Sequence, residues 1–174
     1  MLRIDDFKSQ LIGGGARANL FKVTCNFPDI ITRVDTVKTS FMIKAAQLPS
    51  SVIAPITVPY RGRQLQIAGD RTFEPWTITV INDTGMEVRN AFESWMNGIN
   101  SHVANIGASN PTLYTADMYV DQLDKAGNTT KQYKFVGTVP TNISAIDVSN
   151  DSENTIEEFT VELQVLYWTS NTTD

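Results

Sequence analysis

Side chains able to do chemistry are scarce in this sequence. His102 is the single histidine and Cys25 the single cysteine, so a Cys/His nucleophile pair would require those two residues to meet. Cys25 falls on the apolar side of an alternating segment, where burial makes a thiol inert, whereas reactive thiols sit in exposed electropositive sites. A zinc site of cysteine and histidine lacks ligands. Carboxylates are plentiful, and a pair of them can serve as acid and base in glycoside hydrolysis. Glu157 and Glu158, however, are neighbours on an expected strand and point to opposite faces. Asp117 and Asp121 share a face but read as the solvated side of a hairpin. Gly13-Gly14-Gly15 has no strand before it and no Gly-Lys-Ser/Thr after it, which argues against a phosphate loop. The residues therefore predict no catalytic, cofactor-binding or metal-binding site, and no enzyme.

Composition narrows the remaining classes. A chain of 174 residues with 41% hydrophobic content can bury one real core. Lys+Arg of 14 against Asp+Glu of 19 gives a net charge of −5, the wrong sign for gripping phosphates. A wall past which a polyanion slides is compatible with that sign, because it should repel rather than hold. With one cysteine and no secretory signal, folding in a reducing cytoplasm is expected. No apolar run approaches the roughly 20 residues needed to cross a bilayer, so membrane insertion is not expected.

The elements follow from periodicity. Residues 1–18, with their glycine run, read as a flexible arm, residues 19–168 as one β domain and residues 169–174 as a frayed tail. Phe21, Val23, Cys25 and Phe27 alternate on one face of a first strand. Phe41, Ile43 and Ala45 mark a second over Thr39–Ala45, which could form a hairpin with the first. Leu48–Arg63 is interrupted by Pro49, Pro55 and Pro59 and suits an edge strand or projecting loop; its apolar residues must fold back or dock on a partner. The small basic turn Arg61-Gly62-Arg63 closes it. Trp76, Ile78 and Val80 alternate in a strongly apolar strand, and Asn82, Asp83 and Thr84 offer caps for a helix over 86–101. There Val88, Phe92, Trp95 and Ile99 form one stripe, expected to cover the sheet rather than dock a partner helix. Leu113–Leu123 and Thr129–Val139 read as a hairpin across Asp124–Asn128, and Asn142–Val148 as another strand. Phe159, Val161, Leu163, Val165 and Tyr167 alternate with Glu158, Thr160, Glu162 and Gln164, giving one buried and one wet face.

Several blocks resemble the tail tube proteins of contractile-tailed phages. They are Ala16–Val23, Ala68–Phe73 leading into Trp76–Asp83, Pro140-Thr141-Asn142, and Phe159–Trp168, and they keep their order over nearly the whole chain. Ala18 stands where that pattern expects proline, and the Pro28–Val37 link and the end beyond Trp168 run longer. The resemblance implies a mainly β fold: a β-sandwich or partly closed barrel of antiparallel strands with one flanking helix, as in the type VI secretion ring protein. It implies hexameric rings stacked into a tube, with inner sheets joined around a lumen. The implied partners are further copies of the chain, a sheath protein, a tape-measure protein, baseplate and tail-terminator proteins, and DNA in transit without sequence-specific binding. The implied location is the virion tail, after assembly in the host cytoplasm.

On that reading Leu48, Pro49, Pro55, Tyr60, Arg61 and Arg63 are expected at a ring-stacking or subunit interface. Glu158 and Glu162 are candidates for the lumen wall; subunit contacts or the sheath-facing surface are equal alternatives, since alternation gives a face but not its direction. Two other classes compete. A tube-end or baseplate-hub protein would carry the same fold, whereas a monomeric binding β-sandwich would show clustered exposed aromatics beside polar ligands.

Overall fold

The computed structural model describes residues 3–11, 15–31 and 35–173. Gly13 and Gly14 of the expected arm lie outside them. Among the described residues, seven strands form one antiparallel sheet in the order β1-β6-β7-β8-β5-β2, with β9 also on β7. These are β1 (Phe21–Cys25), β2 (Ile43–Ala46), β5 (Trp76–Ile81), β6 (Ala116–Leu123), β7 (Thr129–Ile143), β8 (Glu158–Gln164) and β9 (Tyr167–Ser170). A separate two-stranded hairpin holds β3 (Ser51–Tyr60) and β4 (Arg63–Phe73), and the helices are α1 (Ile4–Gln10), α2 (Thr36–Met42) and α3 (Glu87–Ile99). The fold is mainly β, as expected, and the sheet is not closed into a barrel.

The long strand β7 lets one sheet enclose a core. It pairs with β6 as far as Thr138 and with β8 from Val139 onward, and just before the switch Gly137 takes φ +63°, a conformation glycine adopts without the Cβ penalty. Across the bend, Trp76 of β5 stacks on Phe135 of β7 with centroids 4.3 Å apart. Val23, Met118 and Val120 of one half meet Ile78, Val80, Phe159, Val161 and Leu163 of the other, all buried. The stripe of α3 is core, with Val88, Phe92 and Trp95 buried and Phe27 edge-on to Phe92 and Trp95. The helix starts where the sequence places it, because Asp83 Oδ1 accepts from Glu87 N at 3.0 Å.

Several expectations need correction. Thr39–Met42 belongs to α2, not a strand: Asp35 caps the helix through the amides of Val37 and Lys38, and Thr39 is buried with its hydroxyl donating to Asp35 O. Phe41 consequently points to solvent while Ile43 enters the core. Nor do β1 and β2 form a hairpin, since β1 pairs with β6 and β2 with β5. The strand expected over Asn142–Val148 is instead the end of β7, which stops at Ile143. The Phe159–Tyr167 strand breaks after Gln164, where Leu166 N donates to Val136 O and the chain crosses to the other half of the sheet. Val165 stays buried, but Tyr167 lies 40% exposed on β9 and is not core; Phe21 is half-buried. Finally, the tail is tied down at its start, because Thr169 and Ser170 pair with β7 and Ser170 is buried.

Candidate assembly surfaces

The β3–β4 hairpin is built from residues that cannot form a core by themselves. Arg61 and Gly62, at φ +47° and +81°, make a two-residue turn whose backbone twist suits a hairpin. Opposite pairs Tyr60–Arg63, Val58–Leu65 and Ile56–Ile67 share one face, because directly paired residues point the same way. Pro59–Gln64, Thr57–Gln66 and Pro55–Ala68 occupy the other. Every residue of β3 is exposed, Ile56 and Leu65 by more than half. The prolines are accommodated because the hairpin belongs to no larger sheet. A bulge between Ile53 and Pro55 lies beside Gly69, where a Cβ would stand 2.4 Å from Ala54 O.

The hairpin is nevertheless firmly rooted. Trp76 Nε1 donates to Gln47 O at 2.8 Å and Trp168 Nε1 to Ser50 O at 3.0 Å, pinning the chain on both sides of Leu48 and Pro49. Phe73 packs edge-on against Trp168. The expected interface residues thus divide: Leu48 and Pro49 lie at the root, Pro55 beside the bulge, and Tyr60, Arg61 and Arg63 at the tip. Arg61 lies over the Tyr60 ring at 5.3 Å. Among the described residues neither Arg61 nor Arg63 has an ion-pair partner. Sequence reasoning missed β4 and with it Leu65 and Ile67; their alternation with Gln64 and Gln66 was the available signal.

A second surface is the wet face of β8 and β5. Glu158, Thr160 and Glu162 stand opposite Ile81, Thr79 and Thr77, so the two glutamates share a face rich in threonine. Glu158 Oε1 accepts from Lys44 Nζ at 2.6 Å, which offsets its charge, while Glu162 has no ion-pair partner among the described residues. The two candidates are therefore unequal, a difference the sequence does not show.

The reactive residues stay apart from any site. Cys25 is enclosed in the core, and His102 lies on the exposed loop after α3. Burial pushes the Cys25 thiol up to about 12, so it stays protonated at neutral pH. We expect no alkylation of native protein at pH 8 and full alkylation in denaturant; native labelling at the denatured rate would contradict the enclosure. Among the described residues no His, Cys, Asp and Glu cluster is suited to a metal ion. Asp117, which accepts from Lys134 Nζ and Gly137 N, supports the bend in β7.

A family model described as phage tail tube protein matches residues 16–171. The chain belongs to the phage tail tube protein family. It is 32% identical to tail tube protein gp19 of Enterobacteria phage T4, over 90% of this chain and 92% of that one. Three solved structures share the fold. A chain of the anti-feeding prophage baseplate matches with TM-score 0.66 and 12% identity, covering 90% of this chain and 95% of that one. A chain of the sheath-tube complex of an extracellular contractile injection system matches with TM-score 0.61 and 14% identity, covering 94% and 96%. A type six secretion system protein matches with TM-score 0.50 and 10% identity, covering 86% and 82%. As a member of the tail tube family and a homologue of gp19, the protein is a structural, non-enzymatic component of a contractile virion tail. For a tail tube protein the exposed hairpin and the wet sheet face, rather than a pocket, are where function is to be sought.

Proposed function

We propose that this tail tube protein assembles into hexameric rings, that the rings stack into a tube, and that the tube conducts DNA during ejection. The hairpin carries this reading: it exposes a continuous apolar face and two free strand edges, features that soluble monomers blunt or cover. Closure of a ring removes strand edges from solvent, and a head-to-tail contact that closes gives a ring. The six hairpin residues named above form the stacking contact, with Tyr60, Arg61 and Arg63 reaching furthest from the core. A sheath encloses the tube, a tape-measure protein occupies it during assembly in the host cytoplasm, and baseplate and terminator proteins close its ends. Negative-stain microscopy of the purified protein should show rings and hollow tubes; a monodisperse monomer at all concentrations would refute the assignment.

The wet face of β8 and β5 lines the lumen in this scheme, and sixfold repetition makes it a negative wall along which DNA slides without adhering. Glu162 contributes more of that charge than Glu158, whose partner is Lys44. Changing both to lysine spares monomer folding but slows DNA ejection, most strongly at low salt, where phosphate contacts are least screened. Tubes that assemble normally and eject at an unchanged rate at low and high salt would remove these residues from the lumen.

A further inference from the structure

Two apolar surfaces of this subunit lie open, and they match. Helix α1 places Ile4 and Phe7 at the i, i+3 spacing of one helical face, with Leu11 at its C-cap, yet it buries none of its residues; Ile4 is 70% and Phe7 65% exposed. Asp5 and Asp6 make its first turn acidic, with Lys8 3.9 Å from Asp5 at an exposed position. Elsewhere, α2 and β1 bound a groove of about 430 Å³, lined by Phe21, Thr24, Val37, Phe41 and Leu123 together with Lys22. Phe41 is 82% and Val37 63% exposed, the i and i+4 positions of a helix whose other side packs on β1. Lys22 has no ion-pair partner among the described residues.

We propose that α1 of one copy docks into the α2–β1 groove of a second copy, setting Phe7 against Phe41 and the acidic first turn toward Lys22. The inference rests on the self-assembly reading and adds which segment joins neighbouring copies. Apolar face meets apolar groove, and acidic turn meets lysine. In the isolated subunit both partners stay exposed although the arm leaves the body beside the groove, where Gln122 Nε2 donates to the carbonyls of Arg17 and Leu20. Each copy carries one helix and one groove, so exchange between neighbours satisfies every copy in a closed ring.

The test is disulfide trapping in assembled full-length protein carrying Phe7→Cys and Phe41→Cys, both at exposed positions that the fold does not need. Cys25, enclosed and protonated, does not compete. Assembly is scored first by microscopy and the trapped material then run without reductant. A ladder of covalent oligomers, absent from either single variant, is expected. Assembled rings that give an internal crosslink, or none, overturn the docking while leaving the tube reading intact. Failure of the unaltered protein to assemble overturns both. Independently, Phe41→Asp should leave the thermal midpoint of the monomer unchanged and sharply lower the yield of rings; an unchanged yield counts against the groove.

Discussion

Replacing Pro55–Ala68 by a short Gly-Ser link between Ala54 and Gly69 yields a folded subunit that no longer builds long tubes. No residue of that span is buried in the subunit, so its removal costs little core energy, and substitutions away from core features usually fall within about 0.5 kcal/mol. The root of the hairpin survives, because the indole bonds of Trp76 and Trp168 reach Gln47 and Ser50, outside the deletion. What disappears is the apolar face of Ile56, Val58, Leu65 and Ile67 together with Arg61 and Arg63. On the proposed stacking contact, burying a side chain of that size contributes about 1.5–3 kcal/mol, so the loss of four exceeds what a stacking equilibrium can absorb. Monomer folding is checked by circular dichroism and assembly by microscopy. Tubes of normal length would take the hairpin out of the stacking interface.

Trp95→Ala destabilises the subunit by about 3–5 kcal/mol, the range for large aromatic truncations in a core. Trp95 is fully buried, stacks near Phe92, meets Phe27 edge-on and donates its indole N–H to Tyr114 O at 2.6 Å. The alanine leaves a cavity and an unpaired carbonyl, two penalties that add. Against a typical total of about 5–15 kcal/mol, the loss should appear as a lower thermal midpoint, by roughly 2–4 °C per kcal/mol for a chain of this size. Glu93→Ala is the contrast. That carboxylate is half exposed and pairs with Arg89, whose remaining contacts with Ser144 O and the Phe159 ring persist, so the change is worth less than about 1 kcal/mol. Soluble Trp95→Ala protein with an unchanged midpoint would refute the core role of α3.

The sequence was most informative where burial is settled within the chain. Strands β5 and β8 show strict alternation because one face of each meets the core and the other meets water, and α3 is legible from its stripe for the same reason. Alternation misled at Phe41-Ile43-Ala45, where the deciding facts are local: Asp35 offers a cap and Thr39 a buried hydroxyl, so the chain winds before it extends. It misled again at Tyr167, since a period of two runs through Val165 and Leu166 although the strand changes partners there. The hairpin tip could be guessed from its prolines and arginines, but β4 could not be paired with it, because neither strand has a buried face in the subunit to set the pattern. The groove of Phe41 and Val37 was invisible for a related reason: it exists only once α2 is seen as a helix.

The two indole bonds at the foot of the hairpin also determine how mechanical load enters the subunit. A pull on the tip travels down β4 directly into β5, and down β3 to the Gln47–Ser50 segment, which Trp76 and Trp168 hold from opposite halves of the sheet. The load is thereby shared between β5, bonded on both sides by β2 and β8, and β9, bonded to β7. Without those two anchors the share carried by β3 would fall on β2, an end strand that could peel away one hydrogen bond at a time. With them, many bonds must yield together. The hairpin is a lever on a double footing.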